Sequence, residues 1–268
     1  MNTILLAMGS VTALGVLCSV MLAVASKVMF VKTDERVATI RELLPGANCG
    51  ACGYSGCDGY AEALVSENAM VNLCTPGGSG LAKEVSAILG VEAEDVIARV
   101  AVVYCRGDGA ARQVRMDYSG IQTCLAAKQL YGGQNSCVFG CLGFGDCEAA
   151  CPEKAICVED GLARVDTRKC TGCRLCGKAC PNNIILMDYS VLTAAVLCKN
   201  TEKGAAVRKK CSIGCIGCMK CVRECPAKAI SAKNNLATID QSKCSGCGTC
   251  ADVCVTKCIR MPLASRSG

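Results

Sequence analysis

The sequence predicts an α+β protein: a single N-terminal transmembrane helix, a small four-cysteine domain, then two tandem cysteine-rich units of one repeated design. Three observations carry this. Residues 4–26 hold no charged side chain and are mostly Leu, Val, Ala and Met, long enough for a helix to cross a bilayer. Cysteine supplies 27 of 268 residues, much of it in triplets at two-residue gaps. Residues 155–170 align without gaps to 229–244, and the same offset of 74 relates Cys141 to Cys215, Cys147 to Cys221 and Cys151 to Cys225.

The triplets fix the chemistry. Cys170, Cys173, Cys176 and Cys180, followed by Pro181, read C-x2-C-x2-C-x3-C-P. In this spacing three thiolates hold one [4Fe–4S] cluster and the fourth reaches a neighbouring one. The run returns at Cys215, Cys218, Cys221 and Cys225 before Pro226, and at Cys244, Cys247, Cys250 and Cys254, where Val255 stands in place of proline. Distant disulfide pairing would strain thiols so closely spaced. The chain contains no His, which excludes Rieske ligation, His-ligated haem and Cys/His zinc sites. A four-cysteine structural zinc is the competitor, but such sites use pairs of cysteines rather than triplets with a remote fourth. The formal charge of +6 counts cysteines as neutral; six clusters on thiolates would add about −12 and leave about −6. The basic apo-chain is therefore no sign of nucleic acid, and three Phe, six Tyr and no Trp are too few for a stacking platform.

Along the chain the expected segments are an anchor at 1–26, a [4Fe–4S] domain at 33–92, a connector at 93–135, a first two-cluster unit at 136–190 and a second at 191–262. Lys27 and Lys32 follow the apolar stretch and nothing charged precedes it, so the cluster domains belong on the cytoplasmic side. A cleaved signal peptide is the rival, but residues 1–3 lack a basic n-region. Cys18, inside this helix, reads as a small apolar residue. Cys49, Cys52, Cys57 and Cys74 stand in a glycine-rich stretch and suit one four-thiolate cluster, with a helix over 58–67 returning the chain to Cys74. Helical periodicity continues from Leu81 through Ile97 to Val103, with Gly90 as a break. Each repeat reads as cysteine loop, strand, turn (Asp160-Gly161 or Asn234-Asn235), strand and cysteine loop.

Exchange of the fourth cysteine assigns the ligands. In the second unit Cys215, Cys218, Cys221 and Cys254 form one set, and Cys225, Cys244, Cys247 and Cys250 the other. In the first, Cys151 joins Cys170, Cys173 and Cys176. The remaining set is altered, because Phe144 occupies the position of Cys218; Cys137, Cys141, Cys147 and Cys180 are assigned there. Cys157 and Cys258 read as core. Cys105 and Cys198 end similar segments, A-V-V-Y-C-R and A-V-L-C-K, and each precedes a further cysteine, Cys124 or Cys211. These four are candidates for a sixth cluster, with buried thiols as the alternative, since the ungapped register instead equates Cys124 with Cys198 and Cys137 with Cys211. Five to six [4Fe–4S] clusters are expected.

The apolar N-terminus, the stretch L-L-P-G-A-N-C-G-A-C-G-Y-S-G-C ending at Cys57 and the tandem ferredoxin-like units resemble the B subunit of the Rnf (Rsx) complex over nearly the whole chain. That complex is a membrane-bound, ion-translocating ferredoxin:NAD+ oxidoreductase. The resemblance implies a subunit in the bacterial cytoplasmic membrane that exchanges electrons with soluble ferredoxin. It would relay them to flavin- and NAD-binding companions, with no complete active site of its own. The sequence agrees in what it lacks: no nucleotide fingerprint follows a strand, and the apolar helix offers no ionisable residue for an ion path. A polyferredoxin component of another membrane redox complex is the alternative. The stretch Lys199, Lys203, Arg208, Lys209, Lys210, Lys220 and Arg223 is read either as a solvated face or as a dock for an acidic ferredoxin.

Overall fold

A computed structural model of the chain describes residues 2–28, 34–92, 95, 96, 98–189 and 193–261. Helix α1 (Asn2–Val28) carries the apolar stretch, with Lys27 in its last turn. Its side chains are described at 8, 9 and 12–27. Among the residues whose side chains are described, which in α1 form no run longer than 12–27, no helix is long and apolar enough to cross a membrane. Lys32 and Ile97 lie outside the described residues.

The N-terminal unit packs α2 (Glu35–Leu43), α3 (Cys57–Ser66) and α4 (Gly78–Leu89) round Ile40, Tyr60, Leu64 and Val85. Asp34 caps α2 by accepting the Arg36 N–H at 2.9 Å. Helix α4 stops at Gly90, whose φ of +70° closes the last turn in a left-handed cap. The helical periodicity expected to reach Val103 ends there. Arg99–Val103 is strand β1 instead, paired antiparallel with β4 (Ile185–Tyr189) so that Val103 faces Ile185. Its sequence R-V-A-V-V is rich in β-branched residues, which favour a pleated surface. Both faces are buried: Ala101 and Val103 join the core of the first repeat, while Val100 and Val102 pack on Ala195 and Leu197 of the second. One strand thus serves both halves.

The first repeat continues with α5 (Cys124–Gln129), α6 (Asp146–Ala149), the hairpin β2 (Ile156–Glu159) and β3 (Leu162–Val165), then α7 (Leu175–Ala179) and β4. The second runs β5 (Ala195–Val196), α8 (Gly204–Lys210), α9 (Lys220–Arg223), hairpin β6 (Ile230–Lys233) and β7 (Leu236–Ile239), α10 (Thr249–Asp252) and β8 (Ile259–Arg260). Strand β5 pairs with β8 as β1 pairs with β4. Asp160, Gly161, Asn234 and Asn235 all have positive φ, as tight hairpin turns require. Gly143 and Gly217 press the cysteine loops onto those turns. A Cβ would lie 2.5 Å from the Gly161 carbonyl oxygen at the first and 2.7 Å from that of Asn235 at the second, so neither position admits a side chain.

The stretch expected as a connector therefore supplies β1 and α5 to the first repeat. It also stitches the repeats together. The Ser212 N–H donates to the Ala111 carbonyl at 2.8 Å and the Gln113 N–H to that of Lys210 at 2.9 Å. Between them, the Arg112 guanidinium donates to the carbonyls of Gly161 at 2.9 Å and Cys141 at 3.2 Å.

Candidate metal centres

The cysteine loops gather round four small cavities, each lined by four cysteines. Cys151, Cys170, Cys173 and Cys176 line one, and Cys225, Cys244, Cys247 and Cys250 another, as the motif predicts. Two further quartets are brought together by their loops. The thiol of Cys74 lies in the electrostatic field of Cys49, Cys52 and Cys57, and that of Cys221 in the field of Cys215, Cys218 and Cys254. Among the described residues no three His, Cys, Asp or Glu side chains converge closely enough to hold one metal ion. The sulfurs surround a volume rather than a point. Four soft thiols gathered round one space are the donor set that an iron–sulfur cluster takes.

The other two cavities bring together groupings different from those expected. Cys124, not Cys137, lines the cavity with Cys141, Cys147 and Cys180. Cys137 instead joins Cys105, Cys198 and Cys211, in the place expected for Cys124. The reason is local. Phe144 fills the position where the second repeat has Cys218, and its ring packs edge-on against Tyr118 at 5.4 Å. The missing thiol arrives on the inserted helix α5. Asp146 positions that helix, its two carboxylate oxygens accepting the N–H groups of Cys124 at 2.8 Å and Leu125 at 3.1 Å. Cys137 is left free to face the second repeat, where the Asn200 carboxamide donates to its sulfur at 3.5 Å.

Three cysteines stand outside these sets. Cys18 is exposed on α1. Cys157, expected in the core, is turned outward by strand alternation, 3.8 Å from Glu159 Oε1, and is exposed. Cys258 is buried as expected, its sulfur 3.6 Å from that of Cys254.

Burial pushes the free thiols of Cys105, Cys147 and Cys176 up to about 12 and that of Cys221 up to about 11. Metal loading must therefore displace protons from the apo-chain. Backbone amides already point at several sulfurs: Ala101 N–H at Cys170 and Ala155 N–H at Cys151, both at 3.3 Å.

The quartets form a continuous file. Lys178 donates to the Cys49 carbonyl at 2.6 Å, and Cys173 lies in the field of Cys49, joining the N-terminal set to that of Cys151. Cys147 in turn feels Cys176. The Cys141 N–H then donates to the Cys105 sulfur at 3.5 Å, and the Cys215 N–H to the Cys198 sulfur at 3.3 Å. The seam quartet thus touches the set on either side through matching backbone bonds. The last two sets share one buried core containing Cys215, Cys221, Cys250 and Cys254.

Comparison with known proteins agrees. An Fe-S cluster domain model matches residues 44–76, and two 4Fe-4S dicluster domain models match 169–230 and 214–258. The chain is 41% identical over 260 residues to the B subunit of the Na(+)-translocating ferredoxin:NAD(+) oxidoreductase complex of Acetobacterium woodii, covering 97% of this chain and 78% of that protein. The chain belongs to the family of Rnf complex B subunits. To the B subunit of the ion-translocating oxidoreductase complex of Methanosarcina acetivorans it is 40% identical over 249 residues, 92% of this chain and 94% of the relative. To the B subunit of the proton-translocating ferredoxin:NAD(+) oxidoreductase complex of Clostridium ljungdahlii it is 39% identical over 264 residues, 97% and 93%. Like other Rnf B subunits, the chain carries [4Fe–4S] clusters and works within a complex of several subunits. The matched iron–sulfur models leave residues 77–168 uncovered, so in this Rnf B subunit the quartets drawing on Cys105, Cys124 and Cys137 rest on geometry.

Proposed function

We propose that this chain is the iron–sulfur wire of an ion-translocating ferredoxin:NAD+ oxidoreductase. It would hold six [4Fe–4S] clusters, on Cys49/52/57/74, Cys151/170/173/176, Cys124/141/147/180, Cys105/137/198/211, Cys215/218/221/254 and Cys225/244/247/250. A cluster on four such thiolates supplies a one-electron redox site. The observation that carries the reading is the unbroken file of quartets from Cys49 to Cys250. The residues themselves do three things: they space the sites, pack β1 and the hairpins against them, and aim N–H groups at sulfur.

The two ends of the file differ. Helix α1 is 27 residues long with no charge before Lys27, about 40 Å at 1.5 Å per residue. We assign it as a single membrane anchor that leaves the clusters on the cytoplasmic side. At the far end Cys218 and Cys247 are exposed. Cys218 adjoins Met219, 43% exposed, and the exposed Lys220 and Arg223. An apolar centre flanked by two cations, with Glu224 the exposed acid beside them, suits an acidic soluble ferredoxin, so electrons would enter here and travel towards the companion subunits. Of the expected basic stretch, two cations are already engaged. Lys210 pairs with Glu202 at 2.5 Å, and Lys199 sits 5.3 Å over the Tyr104 ring.

Iron and acid-labile sulfide analysis of the anaerobically prepared chain tests the proposal. Six clusters require about 24 iron atoms per chain and five about 20. An iron-free chain, or one holding zinc, would end it.

A further inference from the structure

We infer that Asn200 sets the reduction potential of the seam centre framed by Cys105, Cys137, Cys198 and Cys211. This rests on that quartet holding a cluster. Asn200 is 1% exposed, one of three buried polar side chains among the described residues. Its carboxamide has one orientation. Oδ1 accepts the Glu202 N–H at 2.8 Å, which turns Nδ2 towards the Cys137 sulfur at 3.5 Å and Glu202 Oε2 at 3.1 Å. Glu202 is itself held by Lys210 Nζ at 2.5 Å. Flipping the amide would set oxygen against both carboxylate and sulfur and forfeit the bond to the Glu202 N–H.

The donor differs in kind from its neighbours. Cys105 and Cys198 accept from the backbone N–H groups of Cys141 and Cys215, which any sequence adopting this fold would supply. Asn200 is the one carboxamide that donates to a quartet sulfur among the described residues, and it reaches across the seam from the second repeat to a cysteine of the first. An N–H aimed at a ligating sulfur stabilises the more negative, reduced state and raises the potential. Asn200 itself is buried, so water does not screen this bond. Asn200 is thus a positioning residue for charge at the point where current passes between repeats.

The test uses the full chain, with potentiometric titration followed by electron paramagnetic resonance and iron content measured alongside. Asn200→Leu keeps the volume and removes the donor; Asn200→Ala removes both. With iron content unchanged, both should lower the reduction equilibrium constant of one centre several-fold and leave the others in place. A tenfold fall would read as 59 mV for a one-electron couple. Full iron with no shift in either variant overturns the proposal. So does the pattern of a packing role, in which Ala loses four irons while Leu keeps them at an unshifted potential. A wild-type chain with about 20 irons, whose content does not fall in Cys211→Ser, overturns the seam centre itself, and that result is distinguishable from the others.

Discussion

The two repeats share one chain path but serve their cavities differently. In the second, all four cysteines of each set come from the repeated loops, and two of them, Cys218 and Cys247, reach the surface. In the first, Phe144 takes the place of Cys218 and the thiol returns on α5, where Cys124 is buried. The insertion makes a sheathed site of what is an open one in the second repeat. The first repeat is built as an interior relay with neighbours on both sides, and the second as a terminus. A cavity specifies where four sulfurs must stand, not which element brings them.

The comparison is broken most severely at Cys124. Cys124→Ser should cost about four irons per chain and interrupt electron flow between the Cys151 set and the seam almost completely. If the repeats are equivalent, adding Phe144→Cys should restore the iron by supplying the thiol from the repeated loop. Iron analysis of the single and double variants reads this directly, and a single variant with full iron would return Cys137 to that set. A smaller effect is expected at the open terminus. Lys220→Glu with Arg223→Glu should slow reduction by an acidic ferredoxin severalfold at low salt, fading as ionic strength shortens the screening length to about 8 Å at 0.15 M. Equal rates at all salt concentrations would move the dock elsewhere. The smallest effect is a stability change. Asp146→Ala removes the carboxylate that caps α5 and should cost about 1–2 kcal/mol in apo-chain unfolding, whereas alanine at the aligned Lys220 should be near neutral.

Much of this was legible in the sequence. The triplet spacing and the offset of 74 point to both hairpins, their turns and four cysteine groupings that the structure also brings together. The helix over 58–67 appears as Cys57–Ser66. The insertion in the first repeat hides the rest. Cys105 and Cys198 are 93 residues apart, Cys137 and Cys211 only 74, so no single register could pair the seam cysteines. Local likeness of the segments points to the first pair and the ungapped register to the second, and each sets Cys124 opposite a seam cysteine, whereas the structure sets it beside Cys141, Cys147 and Cys180. The fourth ligand of the altered set could have been found through Asp146, an acidic residue two positions past Phe144 with no counterpart at Lys220 in the other repeat. Strand β1 was missed because four consecutive buried residues, covered on both faces, show no alternation.

The seam also governs how the molecule is made. Two of its sulfurs precede the boundary between repeats and two follow it, so neither half can finish that junction before the other has folded against it. The link is an interlock. On the proposed reading a half-folded chain lacks that junction, and conduction along the full length would begin only once both repeats have folded together.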